Sequence, residues 1–361
     1  GLGDVYKRQV VFVAAARKSI RRSERGIVGM IIKDTVVPDG NPITIYKEKD
    51  IPETLSAENK EQIKLAMKGN DTTPRKIVVY VLAKTEEDYR KALEYFEIKK
   101  VTWLCCPTVK TDGQEEEIVT WVRDQREGNR NKIKAVLPDN TADSEGIVNY
   151  ATSEVTVKGK KYGPEEFCSR IAGLLAGTSY KISSTYAVVE EASECEKLDR
   201  DALDAAVDAG KLVLFYDGEK VKVARGVNSL TTVSKGKADP WKKIRVVETM
   251  DMMHDDLVLL AEDNYVGKYP NTYSNKCLLI SAIDSYMKEL ERNGLIQDYA
   301  VELDVEKIKE YIIENKGVTR DEAEAMSDEE IKKQYTDEKV FMKASVTIVD
   351  VMEDINLEIA V

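Results

Sequence analysis

The sequence predicts an α/β core domain with a mainly parallel sheet, followed by a smaller α+β unit. Three observations carry this. Between residues 76 and 138, short and nearly all-apolar runs alternate with amphipathic helical stretches, the pattern of parallel strands buried on both faces. After Gly226 the alternation gives way to two long helical patterns and then β-like runs. At 361 residues, with 42% apolar and 33% charged residues, the chain can bury more than one core and still cover it with charge.

The elements follow in order. "IVGMIIKD" (27–34) reads as a buried strand and "ITIYKEKD" (43–50) as a second. "SAENKEQIKLAMKGN" reads as a helix with Ser56 as N-cap and Gly69 near its end. "KIVVYVLA" is an apolar strand. "TEEDYRKALEYFE" is a helix capped at Thr85, with Asp88 three residues on. "VTWLCC" is a strand, "GQEEEIVTWVRDQREG" a helix and "KIKAVLP" a strand. Helices follow at "GPEEFCSRIAGLLAGTS" and "DRDALDAAVDAG". "KLVLFYDGEKVKVARG" is a strand pair turning at Asp217 and Gly218. Beyond it, residues 239–267 and 271–294 form long amphipathic helices, "YAVELD" a strand and "SDEEIKKQY" an acidic helix.

The last residues alternate strictly. Ile355, Leu357, Ile359 and Val361 interleave with Asn356, Glu358 and Ala360, the period of a half-buried strand. Near the other end, "VVFVAAA" (10–16) is extended and apolar and leads into a basic block with Arg17, Arg21, Arg22 and Arg25. Residues 1–9 start without Met and carry no pattern; they read as a sequence scar and are set aside.

Composition narrows the function. The formal net charge of −11 argues against nucleic acid as the main partner. No apolar run approaches the ~18 residues of a helical membrane span, and no signal peptide is evident. The five cysteines, Cys105, Cys106, Cys168, Cys195 and Cys277, include no C-x-x-C and read as reduced, buried thiols of a cytosolic protein.

Catalytic patterns are hard to find. The single histidine, His254, sits within a helical stretch, with Asp251 one turn back as a polar neighbour. "HDD" fails as a metal site because adjacent helix residues point apart. There is no phosphate-binding glycine loop. Gly173 and Gly177 lie four apart on a helix, where small residues let it pack closely on the sheet. Glu115–Glu117 open a helix, where acids suit the macrodipole. Residues 321–330, "DEAEAMSDEE", lack the glycine-spaced ligands of a calcium loop. No cofactor and no metal are expected. A structural or binding role is favoured over an α/β hydrolase-like enzyme.

Seven blocks, in order, carry a family resemblance: "RSERGIVGMIIKD", "LSAENKEQI", "RIAGLLAGTS", "ARGVNSLT", "IRVVETMDMMHDDL", "NKCLLISAIDSYMKEL" and "FMKASVTIVDVMEDINLEI". Together they resemble the contractile tail sheath proteins of phages, above all the compact PBSX-type sheaths of Firmicutes phages and R-type bacteriocins. The resemblance spans residues 23–361. It implies that residues 27–238 form a sheath core of the so-called subtilisin-like fold without a protease triad, and 239–352 a tube-facing α+β domain. It implies strand arms at 10–26 and 353–361 that pair with neighbouring copies. The expected partners are further copies in a helical tube, the tail tube protein, and baseplate and tail terminator proteins, with no nucleic acid and no direct membrane insertion. Subunits would assemble in the host cytoplasm and reside in the virion tail. Expected interface residues are Arg17, Arg21, Arg22 and Arg25, whose charge complements the acidic block 321–330, and Ile355, Leu357 and Ile359. The sheath of a non-phage contractile injection system is the nearest alternative.

Overall fold

A computed structural model describes residues 24–128, 131–233 and 237–358. It divides into two compact units. One comprises residues 24–251 with the described part of 351–361; the other comprises residues 252–350.

The first unit begins with β1 (Ile27–Asp34), β2 (Ile43–Ile45), α1 (Ala57–Met67), β3 (Lys76–Ala83), α2 (Arg90–Ile98), β4 (Trp103–Cys105) and α3 (Glu115–Glu127). It continues through β5 (Lys134–Pro138), β6 (Ile147–Tyr150), β7 (Val155–Val157), β8 (Lys160–Tyr162), α4 (Pro164–Ala176), β9 (Ala192–Cys195), α5 (Arg200–Asp208), β10 (Lys211–Leu212), β11 (Leu214–Tyr216) and β12 (Val221–Val223). The helix α6 (Ile244–Asn264) contains the division between the units.

Seven strands form the main sheet in the order β10-β6-β5-β4-β1-β3-β2. Neighbours run parallel except β2, which is antiparallel to β3. The expected mainly parallel α/β sheet is therefore present. Alternation along β1 decides which core each side chain enters. Val28, Met30 and Ile32 join one apolar cluster with Ile63 of α1 and Ile171 of α4. Ile27 and Ile31 join the other, with Phe96 of α2 and Val122 of α3. Burial on both faces explains why the strand reads as one continuous apolar run.

Several local expectations change. The stretch at Thr85 is a turn, and α2 starts at Arg90, whose N–H donates to the Asp88 carboxylate at 3.1 Å. The helix begins later than its charge pattern implied, with Tyr89 at the N-cap position and no side-chain cap. Ser56 caps α1 as read, accepting from Asn59 N–H at 3.3 Å. Gly173 serves a helix-helix approach rather than a helix-sheet one. A Cβ there would lie 2.2 Å from the Ala66 carbonyl oxygen, at the end of α1.

The second unit adds α7 (Tyr273–Arg292), β13 (Ile296–Leu303), α8 (Val305–Asn315), α9 (Arg320–Ala325), α10 (Asp328–Lys332) and β14 (Met342–Ile348). β13 and β14 pair antiparallel, Ile296 with Ile348 and Leu303 with Met342. A bulge between Gln297 and Ala300 holds Asp298 at φ 49°. A small core of Leu303, Val305, Ile308, Ile312 and Ile331 lies beneath. In the acidic block, Glu322 and Glu330 fold back to accept from the backbone N–H groups of Thr319 and Ser327, both at 2.8 Å. These two carboxylates are helix caps.

Candidate functional site: a filled crevice, a buried ion cluster and open strand edges

Open parallel sheets place ligands where strand order reverses, beyond the carboxyl ends of the strands. Here that point lies between β1 and β4, because β3 and β4 flank β1 on opposite sides. Side chains fill it. The Asp112 carboxylate accepts from Tyr89 Oη at 2.6 Å and Thr108 Oγ1 at 2.7 Å, and Lys33 Nζ lies 3.2 Å away. Burial, then the neighbouring Cys106 and Asp112, push the Tyr89 phenol well above its ordinary range. Beside it, Asp34 accepts from the N–H groups of Thr35 (2.7 Å) and Ser56 (2.8 Å) and from Asn59 Nδ2 (2.8 Å). Burial alone would raise its pKa; those hydrogen bonds outweigh it and bring it to about 2.

Asp34 therefore favours the fold only when ionised. Its folded pKa lies below the unfolded value of about 3.9. Its contribution is complete above about pH 4 and is lost as pH falls towards 2. The stability difference between the wild type and Asp34→Asn, measured in urea at pH 7, 4, 3 and 2, should shrink across that interval.

A second cluster lies deeper. Asp251 on α6 accepts two bonds from Arg126 of α3, at 2.9 and 3.0 Å. Lys134 of β5, 1% exposed at its side chain, reaches Asp251 and Glu248, each at 2.8 Å. Its Nζ also sits 5.0 Å from the centre of the Trp103 ring. Arg25, the one residue of the basic block that is described, donates to Glu248 at 3.2 Å. Burial would raise the Asp251 carboxyl, but Lys134 and Arg126 reverse the sign and hold it far below the usual range. Asp251, one turn back from His254, is thus committed to Arg126 and Lys134. His254 Nδ1 instead lies 3.0 Å from Asp255 Oδ1. Cys105, Cys106 and Cys168 are buried free thiols, and burial pushes Cys105 up to about 12. No metal-ligating cluster occurs among the described residues.

What remains available is backbone. Among the described residues, β13 and β14 form a two-stranded sheet, so each strand has one paired edge. Residues 351–358 carry no strand assignment, and only residues 355–358 of the alternating run are described. Ile355 and Leu357 are 83% and 75% exposed. Ile359, Arg17, Arg21 and Arg22 lie outside the described residues. Glu353, next to that run, is fixed to Ser183, Thr185 and Arg225, a set of contacts the sequence did not signal.

The crevice is occupied by the chain's own side chains, and among the described residues the β13–β14 pair keeps two edges without a strand. Residues 83–229 match the phage tail sheath protein central domain, and residues 237–361 the phage tail sheath C-terminal domain. A tail sheath protein of Clostridium phage phiCD119 is 37% identical over 359 residues, covering 97% of each chain. The chain belongs to the phage tail sheath family. It is 24% identical over 178 residues to the phage-like element PBSX protein XkdK of Bacillus subtilis, covering 48% of this chain and 38% of that protein. The fold is that of a sheath tail protein from Desulfitobacterium hafniense, with a TM-score of 0.69, 18% identity, and coverage of 79% of this chain and 91% of that one.

Proposed function

We propose that this sheath subunit polymerises helically around a tail tube by exchanging strands with neighbouring copies. The open-edged β13–β14 pair is the observation that carries the reading. The pair is held by α7 and the small core beneath it, and its unpaired edges can recruit further strands. The run containing Ile355, Leu357 and Ile359 supplies a matching strand, with main-chain bonds for affinity and alternate side chains for register. In this reading 27–238 is the subtilisin-like, non-catalytic sheath core and 239–352 the tube-facing domain. Residues 10–26 and 353–361 are the arms. Arg17, Arg21 and Arg22 lie on the first arm, where the free carboxylates of the 321–330 block on a neighbour offer complementary charge. Arg25 anchors the root of that arm.

Tube, baseplate and terminator proteins are the further partners, met during assembly in the host cytoplasm. Contraction releases energy stored as a difference between two packings of the same subunits. A few kcal/mol per subunit, summed along a tail, drives the stroke in one direction.

Electron microscopy of the purified chain, beside a chain ended after Asp354, tests strand exchange. Helical tubes are expected from the first and single subunits from the second. Identical tubes from both, or monomers from both at high concentration, would sink the reading.

A further inference from the structure

Glu353 is an inward-facing side chain on an outward-facing segment. Met352, Ile355 and Leu357 are 90%, 83% and 75% exposed, yet the Glu353 side chain is only 11% exposed. Its carboxylate occupies a socket drawn from three separate stretches of the first unit. Ser183 Oγ and Thr185 Oγ1 donate to one oxygen, at 2.9 and 2.6 Å. Arg225 Nη1 donates to the other at 3.2 Å, and Lys243 Nζ lies 3.5 Å from it. A carboxylate has about four acceptor sites, and all four are answered. Asp354 adds a contact to the same guanidinium.

The socket is also braced from behind. Gly226 N–H donates to Thr185 Oγ1 at 2.9 Å, and Thr185 N–H to Ser183 Oγ at 3.1 Å. Gly226 suits this closeness: a Cβ there would lie 2.5 Å from Ser184 Oγ and 3.2 Å from Ser183 Oγ, so both hydroxyls would have to turn away. An ordinary surface ion pair contributes little and needs no such framework.

We propose that the Ser183–Thr185–Arg225–Lys243 socket is the fulcrum of the C-terminal arm, and that Glu353 is its positioning residue. The socket fixes the point and direction from which residues 355–358, and the arm they begin, leave the body. The inference rests on the strand-exchange reading. A tethered strand meets its acceptor at an effective concentration set by the loose chain before it. With Glu353 seated, the loose stretch starts at residue 355. With Glu353 released, it starts earlier and points nowhere in particular.

The test compares Glu353→Ala, Glu353→Gln and the chain ended after Asp354. Tube formation is read by pelleting and electron microscopy, and folding by thermal melting. Both Glu353 variants should melt like the wild type. The critical concentration for tubes should rise by about tenfold or more for Ala, with Gln between Ala and the wild type. If Ala forms wild-type tubes at the wild-type concentration while the shortened chain forms none, the fulcrum is overturned and strand exchange stands. Tubes from the shortened chain overturn both. A large drop in melting temperature for both Ala and Gln would make Glu353 a support of the fold and overturn its positioning role.

Discussion

Asp251→Ala is expected to lower the stability of the first unit by about 3 kcal/mol, because it breaks a buried ion pair by removing only one side. The two bonds from Arg126 are lost, and the Lys134 ammonium, 1% exposed, keeps Glu248 and a long bond to the Lys132 carbonyl. The value sits at the low end for such losses because Glu145 lies 3.6 Å from Arg126 and Glu248 stays beside Lys134. Urea denaturation followed by circular dichroism measures it. Burial predicts little relief from salt, since screening acts mainly on exposed charge. His254→Ala on the same helix is the internal control. His254 is half-exposed and touches Asp255, so its loss should fall within about 0.5 kcal/mol. A loss below about 1 kcal/mol for Asp251→Ala would mean that the cluster adds nothing beyond what its desolvation costs.

Gly173→Ala should cost about 3 kcal/mol, the upper end of ordinary overpacking. The new methyl would meet the Ala66 carbonyl at 2.2 Å and the Lys68 carbonyl at 2.7 Å. Both obstacles are backbone, so no rotamer change relieves them; α4 must move off α1. Gly163→Ala, at the start of the same helix, meets nothing within 4 Å and should stay within about 0.5 kcal/mol. Equal melting of the two variants would show that α4 shifts freely, contrary to its packing on β4, β5 and α1.

The sequence was most legible where burial is uniform. β1, β3, β4 and β5 have no solvent face, so their apolar runs announce them. The filled crevice was legible only as a lack of motifs, because Lys33, Tyr89, Thr108 and Asp112 come from three loops and strands whose meeting depends on strand order. The Asp251 cluster joins residues 117 and 125 positions apart, beyond any local pattern; locally the nearest polar neighbour of Asp251 in the sequence pattern is His254, one turn on. α8 is absent from the predicted elements although its signal is present: Val305, Ile308, Tyr311 and Ile312 share one face, and Asp304 caps the helix by accepting from Lys307 N–H at 3.2 Å. In the sequence pattern Asp304 reads as the end of the preceding strand. The alternation from Ile355 onward is real, but period-2 patterning reports a face to be covered and does not say whose strand covers it.

The clasp on Glu353 also has a place in time. Lys243, the last socket residue to be made, precedes Glu353 by 110 positions. At typical synthesis rates of about 5–20 residues per second, the socket waits roughly 5–20 s for its carboxylate. Every residue of the large sheet, of the ion cluster on α6 and of the socket is made before residue 353. If the clasp aims the arm, then arms become aimed only on chains whose bodies are already folded. Crowded nascent chains on one message would be kept from exchanging strands too early by the order in which their residues are made.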